Sequence, residues 1–401
     1  MKSLLFITTH NLATNPRIVK EIELALHQHY KVTVVCCGFD NWSKANNEII
    51  KQRLLPLVNY VEISATRSPF VPWLLSTCMY QAAALLLRCF PANSWLLSVN
   101  SNKRSWLILQ DLKKIQHPID LVIAHNPGSF YPAMRFAKTN KIPFGIDLED
   151  YHPGETTQPG VAARFRTLNK NMLPLADYVS AASPLILEYS KADLSRPLQN
   201  ELMLLNYFAK KEFLPPVHQE TAVLSLVWFS QNISWGRGLE EIIPAIKNNP
   251  QFILHLYGHA DVPFCAEWIT GADNILLHPA LPQEALHQQL SKYDVGLALE
   301  KPASNLNRDL CITNKILAYY QSGLYILASN TSAQDEFITA HPEHGMLGEL
   351  TTAQLLQALQ QLSATRDAIR QHAAQRYQKA AAQHWEKASL PLLNTWKQLL
   401  N

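Results

Sequence analysis

The feature that most constrains this chain is an alternation of strands and helices that runs almost from end to end. Short apolar, β-branched runs are expected as strands at residues 4–8, 31–37, 60–64, 121–125 and 143–148, with helical spacing at 16–29 and 131–140. The strand-to-helix step recurs at 177–190. After Pro215 and Pro216 the pattern starts afresh, with strands expected at 224–229, 253–257, 275–277, 295–299 and 325–328. Strands that alternate with helices argue for parallel sheets with helices on both faces, an α/β class. The proline pair places a domain boundary at about 214–222. The stretch 364–400, rich in Ala, Gln and Leu, is expected to be helical. The two halves share no repeat that aligns by eye.

With 401 residues, 47 % of them hydrophobic and 17 % charged, the chain has the composition of a folded protein of two or three domains. A formal charge of +3 without a dense Lys/Arg run argues against a nucleic-acid partner. The six cysteines form no CxxC pair, and free thiols in a reducing cytoplasm are expected. The apolar run Leu4-Leu5-Phe6-Ile7 is too short for a signal peptide, and no apolar stretch is long enough to span a bilayer.

Phosphate motifs narrow the chemistry. The turn after the first strand, THNLATNPR, contains no glycine, and no GxxxxGK[ST] loop occurs, which removes the dinucleotide-binding and P-loop readings. The second half offers WFSQNISWGRGLEEII instead. There Gly236 and Gly238 flank Arg237 just before a helix expected from about 239. A helix start presents free N–H groups and partial positive charge, and an arginine adds a fork of donors for a diphosphate. The competing reading is a plain strand–helix turn. A second cluster, at 300–323, places Glu300, Asn307, Arg308, Asn314 and Lys315 at the carboxyl end of a strand, where open α/β sheets bind ligands. Its competing reading is a polar surface loop.

In the first half, one strand runs into His125-Asn126-Pro127-Gly128 and the next into the acidic stretch 147–155, with Asp147, Glu149, Asp150, His152 and Glu155. A carboxylate or imidazole there would hold ligand hydroxyls or handle a proton; helix capping and solvation are the alternative. Arg17, in the first turn, would reach the same edge or serve as an ordinary helix residue. No HExxH spacing occurs, and no metal site is expected. The apolar run 71–90, followed by Trp95, Lys103, Arg104 and Trp106, reads as an amphipathic segment lying on a membrane or as a helical pair packed on the first domain.

Taken in order, these segments resemble the bacterial GT-B glycosyltransferases of the family 4, or group 1, type, over nearly the whole chain. LVIAHN and IDLEDYHPGE resemble the pocket histidine and acidic motif of their first domain. ADYVSAASPLI with LLNY is similar to the lead-in to their hinge, Asn206 taking the usual asparagine place. WFSQNISWGRGLEEIIPAI resembles the donor-phosphate loop and helix, and NKILAYYQSGLYILAS the segment that holds the nucleotide sugar, with Lys315, Gly323 and Ser329 in familiar places. The resemblance implies two Rossmann-like domains with parallel sheets facing a cleft and a long C-terminal helix crossing back. The domains would be 1–213 for the acceptor, 223–375 for the nucleotide sugar, and 376–401 for the returning helix. It implies a cytoplasmic glycosyltransferase of the hexosyltransferase type, retaining and metal-independent. It would use no cofactor and take a nucleoside-diphosphate sugar as co-substrate. The acceptor would be a glycan or a lipid-linked intermediate of surface polysaccharide or glycolipid synthesis. Peripheral contact through 71–106 would place the enzyme at the inner face of the plasma membrane. His125, Glu149 and Asp150 are the expected catalytic residues. Gly236, Arg237, Glu300, Arg308, Asn314 and Lys315 are expected at the donor, and Arg17, Asn126 and His152 at the acceptor. Two departures stand out. The first basic position of the donor loop falls near Asn232, and the paired glutamates of relatives fall at Leu310 and Ala318. Ribose recognition would then pass to Glu300 or Asn314. A sugar-nucleotide epimerase on the same fold and a non-catalytic carbohydrate-binding relative are the competing readings.

Overall fold

A computed structural model describes residues 1–217, 220–301 and 305–401. The chain forms two compact units, Met1–Leu204 with Pro391–Asn401, and Leu205–Leu390.

The first unit is built on a seven-stranded parallel sheet: β1 (Ser3–Thr8), β2 (Lys31–Gly38), β3 (Asn59–Ser64), β4 (Leu121–His125), β5 (Phe144–Leu148), β6 (Tyr178–Ala181) and β7 (Glu201–Met203), in the order β3-β2-β1-β4-β5-β6-β7. Every residue of β1, β4, β5 and β6 is buried, because helices cover both faces. This is why these strands read as continuous apolar runs rather than alternating ones. The strand order reverses between β1 and β4, where Thr8 stands opposite His125.

The second unit has a six-stranded parallel sheet: β8 (Leu224–Ile233), β9 (Phe252–Ala260), β10 (Ile275–His278), β11 (Val295–Ala298), β12 (Tyr325–Ser329) and β13 (Gly345–Gly348), in the order β10-β9-β8-β11-β12-β13. Its reversal lies between β8 and β11. Trp228, Leu254, Leu256 and Leu327 pack on one face with Ile242 and Leu355; Ala298 and Ala328 pack on the other with Ile316, Leu317 and Tyr319.

Three expectations are corrected. Strands β7 and β13 carried no sequence signal: one is three residues long and the other, GMLG, is half glycine. The division of the chain falls at Leu204/Leu205 rather than between 213 and 223. Tyr207, Phe208 and Phe213 belong to the second core, and Gln321 bonds both the N–H and the carbonyl of Phe208 (2.8 and 3.0 Å). The C-terminal stretch is broken into Arg366–Gln371, Ala373–Ala380, Trp385–Ala388 and Leu390–Leu400, and the return begins at Pro391 rather than 376. Arg376 stays in the second unit, buried and donating to the carbonyls of Gly323 and Ile369. In the first unit Trp396 is fully buried, edge-on to Phe6, with its indole N–H on the Tyr178 hydroxyl at 2.9 Å.

The apolar segment forms one helix, Phe70–Leu86, followed by Ser94–Ser101 and Arg104–Leu112. Only Ser76 and Ala83 of the first helix are fully buried, while Phe70, Val71, Leu74, Leu75, Leu85 and Leu86 are exposed. Among the described residues, no helix is long and apolar enough to cross a membrane.

Candidate functional site

In open parallel sheets ligands settle at the carboxyl ends of the strands, beside the point where strand order reverses. Each unit has one such edge.

In the second unit β8 runs into the turn that holds Gly236, Arg237 and Gly238, and helix Leu239–Ile246 follows. Both glycines have positive φ, +74° and +80°, which side-chain-bearing residues avoid. At Gly238 a Cβ would also stand 2.6 Å from Leu299 Cβ, so the turn is pressed against the end of β11. Arg237 lies half-buried between them, and among the described residues no hydrogen bond or ion pair engages it. The N–H of Gly236 is taken by a carboxylate from the chain itself, Glu240 Oε1 at 2.6 Å. Lys301 balances that carboxylate (3.3 Å) and its neighbour Glu241 (2.8 Å). Lys301, Glu240 and Glu241 escaped the sequence reading; acidic residues in a first helical turn are ordinary dipole partners and carry no distinctive signal.

Beyond β11, Glu300 and Lys315 form a buried pair at 2.7 Å. The Glu300 N–H donates to Ser329 Oγ at 2.8 Å, and the Lys315 ammonium lies 5.4 Å from the centre of the buried Trp228 ring. Arg308 donates to the Gly236 carbonyl at 3.3 Å and so ties the two segments together. Asn314 is exposed at the start of helix Asn314–Gln321, whose N-cap residue Thr313 makes no capping bond. Among the described residues the buried hydroxyl of Thr313 has no partner. The structure thus brings Gly236, Arg237, Glu300, Arg308, Asn314 and Lys315 to one edge. Residues 302–304 of the expected cluster lie outside the described residues. Ala318 and Leu310, at the glutamate positions of the resembled family, are fully buried; Ala318 sits among apolar neighbours.

The first unit is arranged differently, and two expectations give way. Arg17 and His125, expected at a ligand, are inside the protein at 0 % and 1 % exposure. The His125 nitrogens stand 3.3 Å from Glu21 and 3.4 Å from Asp147. Arg17 Nε is 3.6 Å from Asp147, its other end donates to the Leu204 carbonyl, and Ser180 donates to Asp147 at 2.5 Å. Burial disfavours the imidazolium, but Glu21 and Asp147 outweigh it and push the His125 pKa up to about 10. His125 is therefore a protonated strut beneath the edge. The three side chains Glu21, His125 and Asp147 have metal-ligand character, and Arg17 beside Asp147 already supplies a cation to one of the carboxylates. Asn126 is also buried, with φ +72°, and takes the Thr8 hydroxyl at 2.5 Å. Glu21 was missed because an acid on an amphipathic helix, two residues from Glu23, looks like a surface residue.

The accessible part of this edge holds Glu149, Asp150 and His152. Glu149 is half-buried; burial and then the charge of Asp150 push its carboxyl up to about 7. The His152 ring lies 3.0 Å from the Asp150 carbonyl. His10, at the end of β1, is pushed down to about 4 by burial and then by His152, so it is neutral at physiological pH.

No family model matches the chain, and no curated protein sequence matches it significantly. Solved structures do. Sucrose-phosphate synthase from Thermosynechococcus elongatus superposes with a TM-score of 0.68 at 15 % identity, over 100 % of this chain and 99 % of that one. Anabaena HepE in complex with UDP-glucose gives 0.66 at 12 % identity, over 99 % and 100 %. The lipopolysaccharide outer core galactosyltransferase WaaB gives 0.57 at 12 % identity, over 98 % and 100 %. At such identities the likeness carries the fold. This chain is an α/β protein of two Rossmann-like parallel sheets, the GT-B architecture of those glycosyltransferases.

Proposed function

We propose that this protein is a glycosyltransferase of the hexosyltransferase type that moves a sugar from a nucleoside-diphosphate sugar to an acceptor hydroxyl. The observation that carries this reading is Arg237: an arginine with no carboxylate partner among the described residues, held between two left-handed glycines at a helix start on the ligand edge of a parallel sheet. Such a site suits a diphosphate. In the reaction the bond from the anomeric carbon to the diphosphate oxygen breaks and a bond to the acceptor oxygen forms, the acceptor proton leaving to a base or to the departing phosphate. Arg237, Lys315 and the helix N–H groups would stabilise the charge that develops on the diphosphate, the stage at which such stabilisation raises the rate. Glu300 or Asn314 would bind the ribose, because Ala318 offers no carboxylate.

On this reading the first unit takes the acceptor, a glycan or a lipid-linked intermediate of surface polysaccharide or glycolipid synthesis. Glu149, Asp150 and His152 would meet the transferred sugar and the acceptor. Transfer is retaining and needs no metal. The exposed helix Phe70–Leu86 would bring the protein to the cytoplasmic face of a membrane. Sugar transfer is favoured over a non-catalytic relative by Arg237 and the Glu300–Lys315 pair; the apolar surroundings of Ala318 favour the latter.

The test is a thermal-shift screen against UDP, GDP, ADP, CMP and their sugar conjugates. A ligand bound by the folded state alone raises the melting temperature. One nucleoside diphosphate is expected to do so, with the shift lost in Arg237→Ala. Absence of any shift overturns the proposal. Product analysis by NMR, with and without EDTA, then reads the anomeric configuration and the metal requirement; a new sugar nucleotide without a glycoside would indicate an epimerase.

A further inference from the structure

The carboxyl ends of β2 and β3 carry a group of cations that the reading above does not use. Arg67 follows β3, while Lys103 and Arg104 open helix Arg104–Leu112. Arg67 and Lys103 both lie over the Trp73 ring, at 5.4 and 5.2 Å from its centre, and Arg104 lies over Phe39 at 5.0 Å. Arg104 donates to the Ala65 carbonyl at 2.8 Å, and its buried Nε finds no acceptor among the described residues. Among the described residues, no carboxylate forms an ion pair with any of the three. Burial and then the charges of Arg104 and Arg67 lower the Lys103 pKa, with no acidic group opposing them. Three cations gathered without a counter-charge is an arrangement that proteins ordinarily avoid unless an anion completes it.

What adjoins the cluster defines the anion. Trp73 belongs to helix Phe70–Leu86, whose exposed Phe70, Val71, Leu74 and Leu75 begin directly beside Arg67. On the other side Arg104 acts on His10, which also feels His152 and Asp150. The cations therefore stand between an apolar helix surface and the accessible carboxylates of the same edge. An amphiphile matches this order, with hydrocarbon along the helix, an anionic head on the cations and a glycan towards Asp150.

We infer that Arg67, Lys103 and Arg104, arranged about Trp73, bind the phosphate or diphosphate head of a lipid-linked acceptor whose hydrocarbon rests on helix Phe70–Leu86. The inference rests on the glycosyltransferase reading and deepens its acceptor side. A diphosphate between hydrocarbon and glycan carries two charges where the single bridging phosphate of an ordinary membrane lipid carries one, so the cluster discriminates between them, and a terminal phosphate of similar charge serves as its stand-in.

The experiment uses the full-length protein and phosphatidylcholine vesicles doped either with phosphatidic acid, which carries a terminal phosphate, or with phosphatidylglycerol at matched surface charge. Sedimentation is expected to show preferential binding to phosphatidic acid. Arg67→Ala with Lys103→Ala is expected to lower that affinity by on the order of 20-fold, at about fivefold per cation. Short-chain, soluble phosphatidic acid should compete and inorganic phosphate should not. Equal binding to both vesicles overturns the inference in favour of a generic anionic surface, as does wild-type affinity in the double variant. Leu74→Glu, which keeps the cations, should weaken vesicle binding but spare any effect of the soluble lipid. Nucleotide-induced thermal shifts are measured alongside on the wild-type protein. Their presence while lipid discrimination fails rejects this inference alone, whereas absence of both rejects the glycosyltransferase reading.

Discussion

The two units share a topology but treat the reversal point of their sheets in opposite ways. In the first, the space beneath the edge is filled from within: Arg17 and His125 meet Glu21 and Asp147, all at 2 % exposure or less. In the second, the corresponding loop leaves Arg237 unpaired among the described residues, and the chain's own Glu240 accepts the bond that an incoming anion would otherwise take. One edge has been made rigid and the other left open to exchange. The lesson is that position at a sheet edge marks only where a ligand can bind; whether charges there are already neutralised decides which side chains are free to do so.

This contrast can be broken experimentally, beginning with its largest consequence. His125→Leu leaves two buried carboxylates facing Arg17 alone, and a loss of about 3–5 kcal/mol in unfolding free energy is expected by urea titration. A loss below about 1 kcal/mol would mean that the network is hydrated and the edge more open than described. Arg237→Ala should do the reverse. It should leave stability within about 0.5 kcal/mol of wild type while weakening nucleoside-diphosphate binding by about 1.5–3 kcal/mol, read by calorimetry. A fall in stability instead of affinity would make Arg237 a structural residue.

Smaller effects sharpen the picture. Protonated His125 contributes stability that is fully present below its ordinary pKa of 6.5 and is lost as pH rises through about 10. Wild type should therefore weaken over that window relative to His125→Leu. Glu149, raised from 4.5 to about 7, contributes stability present below pH 4.5 and lost as pH rises through 7. Glu149→Gln should flatten the stability profile there, and carbon-13 NMR should find the Glu149 carboxyl titrating near neutrality. The smallest effect is expected from Glu240→Gln, which removes the negative charge competing for Gly236. A gain in diphosphate affinity of about 0.5–1 kcal/mol is expected, and a loss would show that Glu240 assists the ligand.

The fold was legible because its strands are buried on both faces and its helices are amphipathic, so continuous apolar runs and the helical period both stand out in the sequence. LVIAH is strand from end to end in both readings. What escaped was structure without a pattern: GMLG, a strand with little side chain, and the passage of Tyr207 and Phe208 into the second core, which follows from long-range packing. The edge of the second unit stood out in the sequence because glycine-flanked arginine at a helix start is a local signal. Arg17 and His125 misled because their chemistry is that of a ligand site, while their burial depends on Asp147, at the end of β5, meeting both of them and on Glu21, four residues beyond Arg17 on the same helix, meeting His125. A sequence lists the charges but gives no indication of which ones meet.

The return of Pro391–Asn401 to the first unit sets an order of events during synthesis. Trp396, which closes the space over Phe6 and Tyr178, leaves the ribosome after every residue of the second unit. The nascent first unit must wait, with that hydrophobic surface uncovered, while the second is made and folds. Its final locking is thus a late step, and in that interval the growing chain is most in need of chaperone protection.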